Sequence, residues 1–239
     1  MKKILIIIPA YNEEATIQKT IEQTLASSPH CDILVVNDGS WDNTSKIVRT
    51  ITKAKVLDLP FNLGIGGAEQ AGYLFAYLQN YDYVVRIDAD GQHNPSDIKI
   101  LLDRIQNQSI DLVIGSRYIR NSGFQSSFPR RFGIKILSTV LSILIRKKIH
   151  DPTSGFRAAN KRVIKLFSKI YPTDYPEPQS LLWAHQAHFV IAEESVVMKE
   201  RQGGQSSIKP IHTFYYMAKV LIALIVDSLK NSKWYKEHV

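Results

Sequence analysis

The chain has 239 residues, 44% of them hydrophobic and 22% charged, a globular balance that excludes a mainly disordered chain. Its single cysteine, Cys31, excludes an internal disulfide and suits a reducing compartment. The net charge of +8 and pI of about 9.4 make the surface basic, which suits nucleic acid, membrane headgroups or anionic substrates, or simply a solvated basic face.

Ile4 to Ile8 is an apolar run ending at Pro9, too short for a signal peptide or a spanning helix, and it predicts a buried first strand. Ile17, Ile21 and Leu25 recur at helical spacing. Ile33 to Val36 predicts a second strand; Ile47, Val48 and Ile51 mark a second helix; Val56 to Leu59 predicts a weaker third strand. Ala68, Ala71, Phe75 and Leu78 are expected on one face of a third helix. Tyr83 to Ile87 predicts strand four. Asn94 is expected to cap a helix begun by Pro95, with Ile98, Leu101, Leu102 and Ile105 facing inward, and Leu112 to Ile114 predicts strand five. This alternation argues for an α/β fold, Rossmann-like, with a mainly parallel sheet covered on both faces. Beyond it, Pro and Gly cluster at 152–155, 172–178 and 203–204, which predicts an irregular second half built from longer loops.

In such sheets ligands bind beyond the carboxyl ends of the strands. Three of those ends carry polar segments: Pro9-Ala10-Tyr11-Asn12-Glu13-Glu14, Asn37-Asp38-Gly39-Ser40 and Asp88-Ala89-Asp90-Gly91-Gln92-His93. Asp88 and Asp90 can reach one hard cation through oxygen, and Gln92 can add another oxygen. Alone, the pair equally describes a solvated turn; following a buried strand, with Asp38 on the same edge, it reads as a cation site. Gly64, Gly66 and Gly67 fit neither the dinucleotide fingerprint nor the P-loop, and predict a turn that lets helix three pack closely. His93, His150 and His185 show no metal-ligand spacing and are expected to be structural or exposed.

With Asn62-Leu63-Gly64 and Gly115-Ser116-Arg117-Tyr118 added in order, these segments resemble family 2 glycosyltransferases of the GT-A fold. Asp151-Pro152-Thr153-Ser154-Gly155-Phe156-Arg157, then Arg201 and Gly204-Gln205-Ser206-Ser207, are similar to the dolichyl- and polyprenyl-phosphate sugar synthases, with Arg130-Arg131-Phe132 at their basic acceptor segment. Ser207 stands where many such synthases have Lys, and Asp174 to Gln179 looks like a bacterial polysaccharide-cluster branch.

The resemblance implies an inverting transfer of a sugar from a UDP-, GDP- or dTDP-sugar to polyprenyl phosphate. It implies that Pro9, Tyr11, Glu13 and Asp38 line the nucleotide pocket with Ala89. Asp88, Asp90 and Gln92 would hold Mg2+ or Mn2+, Arg201 would meet the diphosphate, and Arg117 and Arg131 would grip the acceptor phosphate. For Arg117 a plain salt bridge at a strand end is the alternative. A sugar hydroxyl of a lipid-linked or surface polysaccharide is the second acceptor; it would need a base, and Glu177, expected in a stiff loop between two prolines, is the candidate. A non-catalytic nucleotide-sugar-binding subunit is the third reading.

Residues 130–148 and 214–226 suggest interfacial helices: apolar residues flanked by Arg130, Arg131, Lys135 and Arg146-Lys147-Lys148 in the first, an apolar run broken by Lys219 in the second. Helices packed against the domain or a partner are the alternative. The expected organisation is a GT-A domain over 1–208 and an apolar helical tail over 209–239. The protein is expected on the cytoplasmic face of the cell membrane, as a peripheral protein docked on the surface or on a small membrane subunit. No nucleic-acid partner is expected, and homo-oligomerisation is left open.

Overall fold

The computed structural model describes residues 2–106, 109–120, 128–199, 213–230 and 234–235. The first half follows the βα alternation: β1 (Ile4–Ala10), α1 (Ile17–Ser27), β2 (Asp32–Asn37), α2 (Thr44–Arg49), β3 (Ala54–Asp58), α3 (Gly64–Leu78), β4 (Tyr83–Arg86), α4 (Ile98–Gln106) and β5 (Leu112–Ser116). Then come α5 (Phe128–Ile145), β6 (Arg157–Asn160), α6 (Lys161–Lys169), α7 (Pro176–Gln186), β7 (Ile191–Ser195) and α8 (Thr213–Ser228).

The strands form one seven-stranded sheet in the order β3-β2-β1-β4-β6-β5-β7. All pairings are parallel except those of β6, which runs antiparallel between β4 and β5. Every residue of β1 is buried, because a central parallel strand is covered on both faces, and this is why Ile and Val fill it without alternation. Pro9 lies inside β1 rather than ending it. The crossover between β1 and β4 makes the switch point where ligands of such sheets bind.

Ile4, Ile6, Ile8, Ile33, Val35 and Val85 form a core with α1 and α4 on one side of the sheet. Leu5, Ile7, Leu34, Val36 and Val84 form the other with α3, α5, α6, α7 and α8.

Several local expectations change. The third strand is Ala54–Asp58, shifted toward the N-terminus of the expected segment. In α3 the buried residues are Gly66, Ala68, Glu69, Gly72, Tyr73 and Ala76, whereas Leu78 is exposed. The face is turned because Glu69 faces inward toward an arginine of β4. Of the three expected glycines, Gly66 serves close packing, since a Cβ there would lie 2.2 Å from the Pro172 carbonyl, whereas Gly64 has open space around it and instead takes φ +79. Gly72, not singled out, also packs closely, a Cβ there lying 2.7 Å from Ile7. Pro95 opens a 3-10 turn ending at Asp97, and Asn94 makes no side-chain cap bond there.

The second half is more regular than its Pro and Gly content suggests. Asn160 caps α6 by accepting from the Arg162 and Val163 amides at 3.0 and 3.2 Å. Pro176 begins α7, a favoured place for proline because that N–H would have no helical partner. Glu177 therefore stands in the first turn of a helix, not in a loop.

Helix α8 packs on α5 and α7, and Val220 and Leu224 join the same core as β1. The buried Asp227 carboxylate accepts from Trp183 Nε1 at 2.9 Å and Gln179 Nε2 at 2.7 Å. The segment expected as a tail thus contributes a helix to the domain's core. Among the described residues, no helix is long and apolar enough to cross a membrane.

Candidate active site

The three polar segments meet at the carboxyl edge of β1, β2 and β4, as the parallel pairings require. Pro9 and Ala10 are buried at the end of β1, and Tyr11 is half exposed beyond them. Asn12 takes the left-handed conformation, with φ 54. Its amide donates to Ser40 Oγ at 2.9 Å, and its side-chain oxygen accepts from the Trp41 amide at 3.0 Å, so the β1 and β2 ends are tied together. The Glu13 amide donates to Thr44 Oγ1 at 2.9 Å, and its carboxylate accepts from the Thr16 hydroxyl at 2.8 Å.

Asp38 is buried, and its Oδ1 accepts from the Leu63 amide at 2.7 Å. Burial raises its pKa, while the amides of Leu63 and Gly64 pull it back. Gly39 has φ +68, and a Cβ there would strike the backbone of Phe61 and Asn62 at 2.8 Å. The polar segment after β2 is thereby pressed onto the loop that starts α3.

At the end of β4, Ala89 is buried and its carbonyl accepts from Thr20 Oγ1 at 3.0 Å. Asp90 is buried and its Oδ1 accepts from the Gln92 amide at 3.0 Å. Asp88 is more open, with 31% of its side chain exposed. The His93 ring lies beneath, stacked on Phe156 at 4.9 Å. His93 Nδ1 accepts from the Asp88 amide at 2.9 Å, which puts the ring proton on Nε2, 3.4 Å from Asp88 Oδ2. Burial lowers the His93 pKa despite the carboxylate beside it, so the ring is neutral at pH 7. His93 is thus buried, where sequence reading left it either structural or exposed. Asp88, Asp90 and Gln92 bring only oxygen donors to one turn, and that set fits a hard cation such as Mg2+ or Mn2+.

Arg117 stands just past β5, and its Nε and Nη2 each meet the buried Asp151 carboxylate at 2.6 Å. Nη2 also donates to Thr153 Oγ1 at 2.8 Å. This is the salt bridge at a strand end that the sequence left as the alternative for Arg117. Arg131 lies on α5 and is exposed. Arg201 lies outside the described residues.

Three charged residues of this site were not singled out in the sequence. Arg86, fully buried in β4, brings Nη2 to 2.9 Å from Glu69, 2.8 Å from Asp88 and 3.7 Å from Glu177. Burial disfavours its charge, but Asp88, Glu69 and Glu177 together outweigh this and raise its pKa. Burial pushes the Glu69 carboxyl up to about 7 against the pull of Arg86. Arg157, the register partner of Arg86 on β6, is also buried. It donates to the Ser154 carbonyl at 2.8 Å, Ser180 Oγ at 2.6 Å and the Glu177 carbonyl at 2.7 Å, fixing the start of α7. The available signal was an arginine inside the apolar run Val84-Val85-Arg86-Ile87, since a buried charge needs a partner.

The model of glycosyl transferase family 2 matches residues 5–167. Polyprenol monophosphomannose synthase of Mycolicibacterium smegmatis is 30% identical over 228 residues, covering 92% of this chain and 86% of that protein. UDP-N-acetylglucosamine--dolichyl-phosphate N-acetylglucosaminyltransferase of Methanococcus voltae is 31% identical, covering 91% of this chain and 89% of that protein. In fold, the chain is similar to glucosyl-3-phosphoglycerate synthase from Mycobacterium tuberculosis, solved in complex with Mn2+, UDP and phosphoglyceric acid. That similarity has a TM-score of 0.69 at 20% identity, over 96% of this chain and 79% of that one. The βα order, the mixed sheet and the matched residues lead to one conclusion: this chain belongs to glycosyl transferase family 2 and is a glycosyltransferase with the GT-A fold.

Proposed function

We propose that the protein transfers a sugar from a nucleotide-diphosphate sugar to a polyprenyl phosphate at the cytoplasmic face of a membrane, with Mg2+ or Mn2+ as cofactor. The observation that carries this reading is the meeting of Asp38, Asp88 and Asp90 at one sheet edge. The acceptor class is supported by the two relatives whose names specify polyprenol and dolichyl phosphate products or acceptors.

Pro9, Tyr11, Glu13 and Asp38, with Ala89, form the nucleotide pocket. Asp88 and Asp90, helped by Gln92, hold the cation, which when bound neutralises charge developing on the departing diphosphate. Arg201 adds a positive charge to that diphosphate. Arg131 grips the acceptor phosphate through its planar fork. Arg117 joins it through Nη1, since Asp151 engages Nε and Nη2. A phosphate oxygen then attacks the anomeric carbon as the bond to the diphosphate oxygen breaks, with inversion. The phosphate is already anionic, so no proton has to be removed.

Membrane attachment is supported by the outer faces of α5 and α8. Ile143 is 70% exposed and Leu229 81%, and Phe132, Ile222, Ile225 and Val226 are exposed with them. Arg146 and Lys148, exposed just past the end of α5, suit anionic headgroups.

The test supplies the purified protein with Mg2+ or Mn2+, undecaprenyl phosphate and radiolabelled nucleotide sugars in turn. Label is expected in the lipid phase with one donor. Asp90→Asn is expected to lower the rate about a hundredfold or more without changing the melting temperature. Donor hydrolysis without labelled lipid phosphate would sink the acceptor assignment and favour a saccharide hydroxyl with Glu177 as base. An Asp90→Asn protein that still supports the cellular function would favour a non-catalytic subunit.

A further inference from the structure

Arg86 has an unusual environment for a buried arginine. Among the described residues, its three ion pairs all run through Nη2, while Nε and Nη1 are buried with no hydrogen-bond partner. Leaving buried donors unpaired is costly, and a stable core is more simply built by an apolar pair at these two positions. The neighbouring Arg157, by contrast, uses Nε and both terminal nitrogens. The chain also gives Arg86 its room: a Cβ on Gly155 would lie 1.1 Å from Arg86 Nη1, so any other residue there would displace the guanidinium. Behind it, Glu69 is anchored by the hydroxyl of Tyr171. In front, Nη2 meets Oδ1 of Asp88, the more open of the two cation-binding carboxylates.

We propose that Arg86, held from behind by Glu69, is the positioning residue that aims the Asp88 carboxylate at the divalent cation. This rests on the reading of Asp88 and Asp90 as cation ligands. Each carboxylate oxygen has two lone pairs, so Oδ1 can accept from Arg86 and still face the cation. A lone guanidinium behind Asp88 would orient it but also repel the cation. Glu69, when ionised, supplies the opposing charge at 2.9 Å, so that orientation is kept with less repulsion. Glu177, the third carboxylate on the same guanidinium, links the first turn of α7 to that point. Partners that orient metal ligands in this way govern metal affinity about as strongly as tenfold to a hundredfold.

The experiment titrates Mn2+ into the full chain with UDP or GDP present, and reads free Mn2+ by its paramagnetic resonance signal. Wild type and Asp90→Asn come first. If Asp90→Asn binds Mn2+ as wild type does, the cation reading fails and this inference falls with it, before any Arg86 variant is measured. If Asp90→Asn loses binding, the double variant Arg86→Met/Glu69→Gln decides, because the Glu69→Gln change keeps an acceptor for Tyr171 and no buried charge is left alone. Its half-saturating Mn2+ is expected to rise about tenfold or more at an unchanged melting temperature. A folded double variant that binds Mn2+ within about twofold of wild type overturns the inference. Arg86→Lys is the second readout, since it keeps the charge and loses the planar fork. It is expected to weaken Mn2+ binding about fivefold or more, and wild-type binding by Arg86→Lys would also overturn the positioning role.

Discussion

On one side of the sheet, Ile4, Ile6, Ile8, Val85 and Ala158 meet α1 and α4 in an apolar layer. On the other, the same strands place Arg86 and Arg157 opposite each other, next to the Val84–Ala159 pair, with Glu69, Glu177 and Tyr171 packed around them. Both layers are buried, and both are covered by helices. They differ at the carboxyl end of β4, where the charged layer runs straight into Asp88. Burial alone therefore does not tell a core position from a site position in this fold. Charge is carried inside the protein on the face that supports the turn proposed to hold the cation, and its cost is borne by the apolar packing around it.

Two substitutions and one labelling experiment would break or sharpen this contrast. The largest loss is expected from Arg86→Ala, which opens a buried cavity and forces Glu69, already pushed up to about 7, either to take a proton or to stay charged without its counter-ion; it should cost about 3–5 kcal/mol in urea denaturation. A loss under about 1 kcal/mol would mean that the buried pair is solvated in a way the two-face contrast does not allow. A cavity on the apolar face should cost somewhat less. Leu101→Ala, at a fully buried position of α4, is expected to lose about 2–4 kcal/mol while leaving the Mn2+ dependence of transfer unchanged. If Leu101→Ala shifts the Mn2+ dependence as Arg86 variants do, the faces are not functionally separate.

The smallest effect is read at Cys31 in the apolar layer. Burial, then the nearby Asp32 charge, pushes its thiol from 9.0 to about 11. Folding thus favours the protonated thiol, so its contribution to stability is complete below about pH 9 and is lost as pH rises through about 11. The thiolate fraction near pH 8 should fall roughly a hundredfold relative to the unfolded chain. Iodoacetamide should therefore label native Cys31 slowly, and urea should release the reaction. Equal labelling rates in native and unfolded protein would show that this layer is open to water.

The sequence by itself determined the α/β class, the five strands of the first half and the meeting of Asp38, Asp88 and Asp90. Local apolar periodicity identifies strands and helices, and a parallel sheet forces their carboxyl ends onto one edge whatever the loops do. It also contained, unread, the cap at Asn160 and the helix start at Pro176, both local signals. Only the tertiary structure decided the antiparallel insertion of β6, because strand order is set by long-range pairing that no local pattern encodes. It alone turned α3 so that Glu69 faces Arg86, joined α8 to the core, and tied Arg117 to Asp151. Such buried charges take their meaning from partners distant along the chain. Glu69, Arg86 and Glu177 become one unit only when α3, β4 and α7 close over the same point, since a charge leaves water at tolerable cost only beside its opposite.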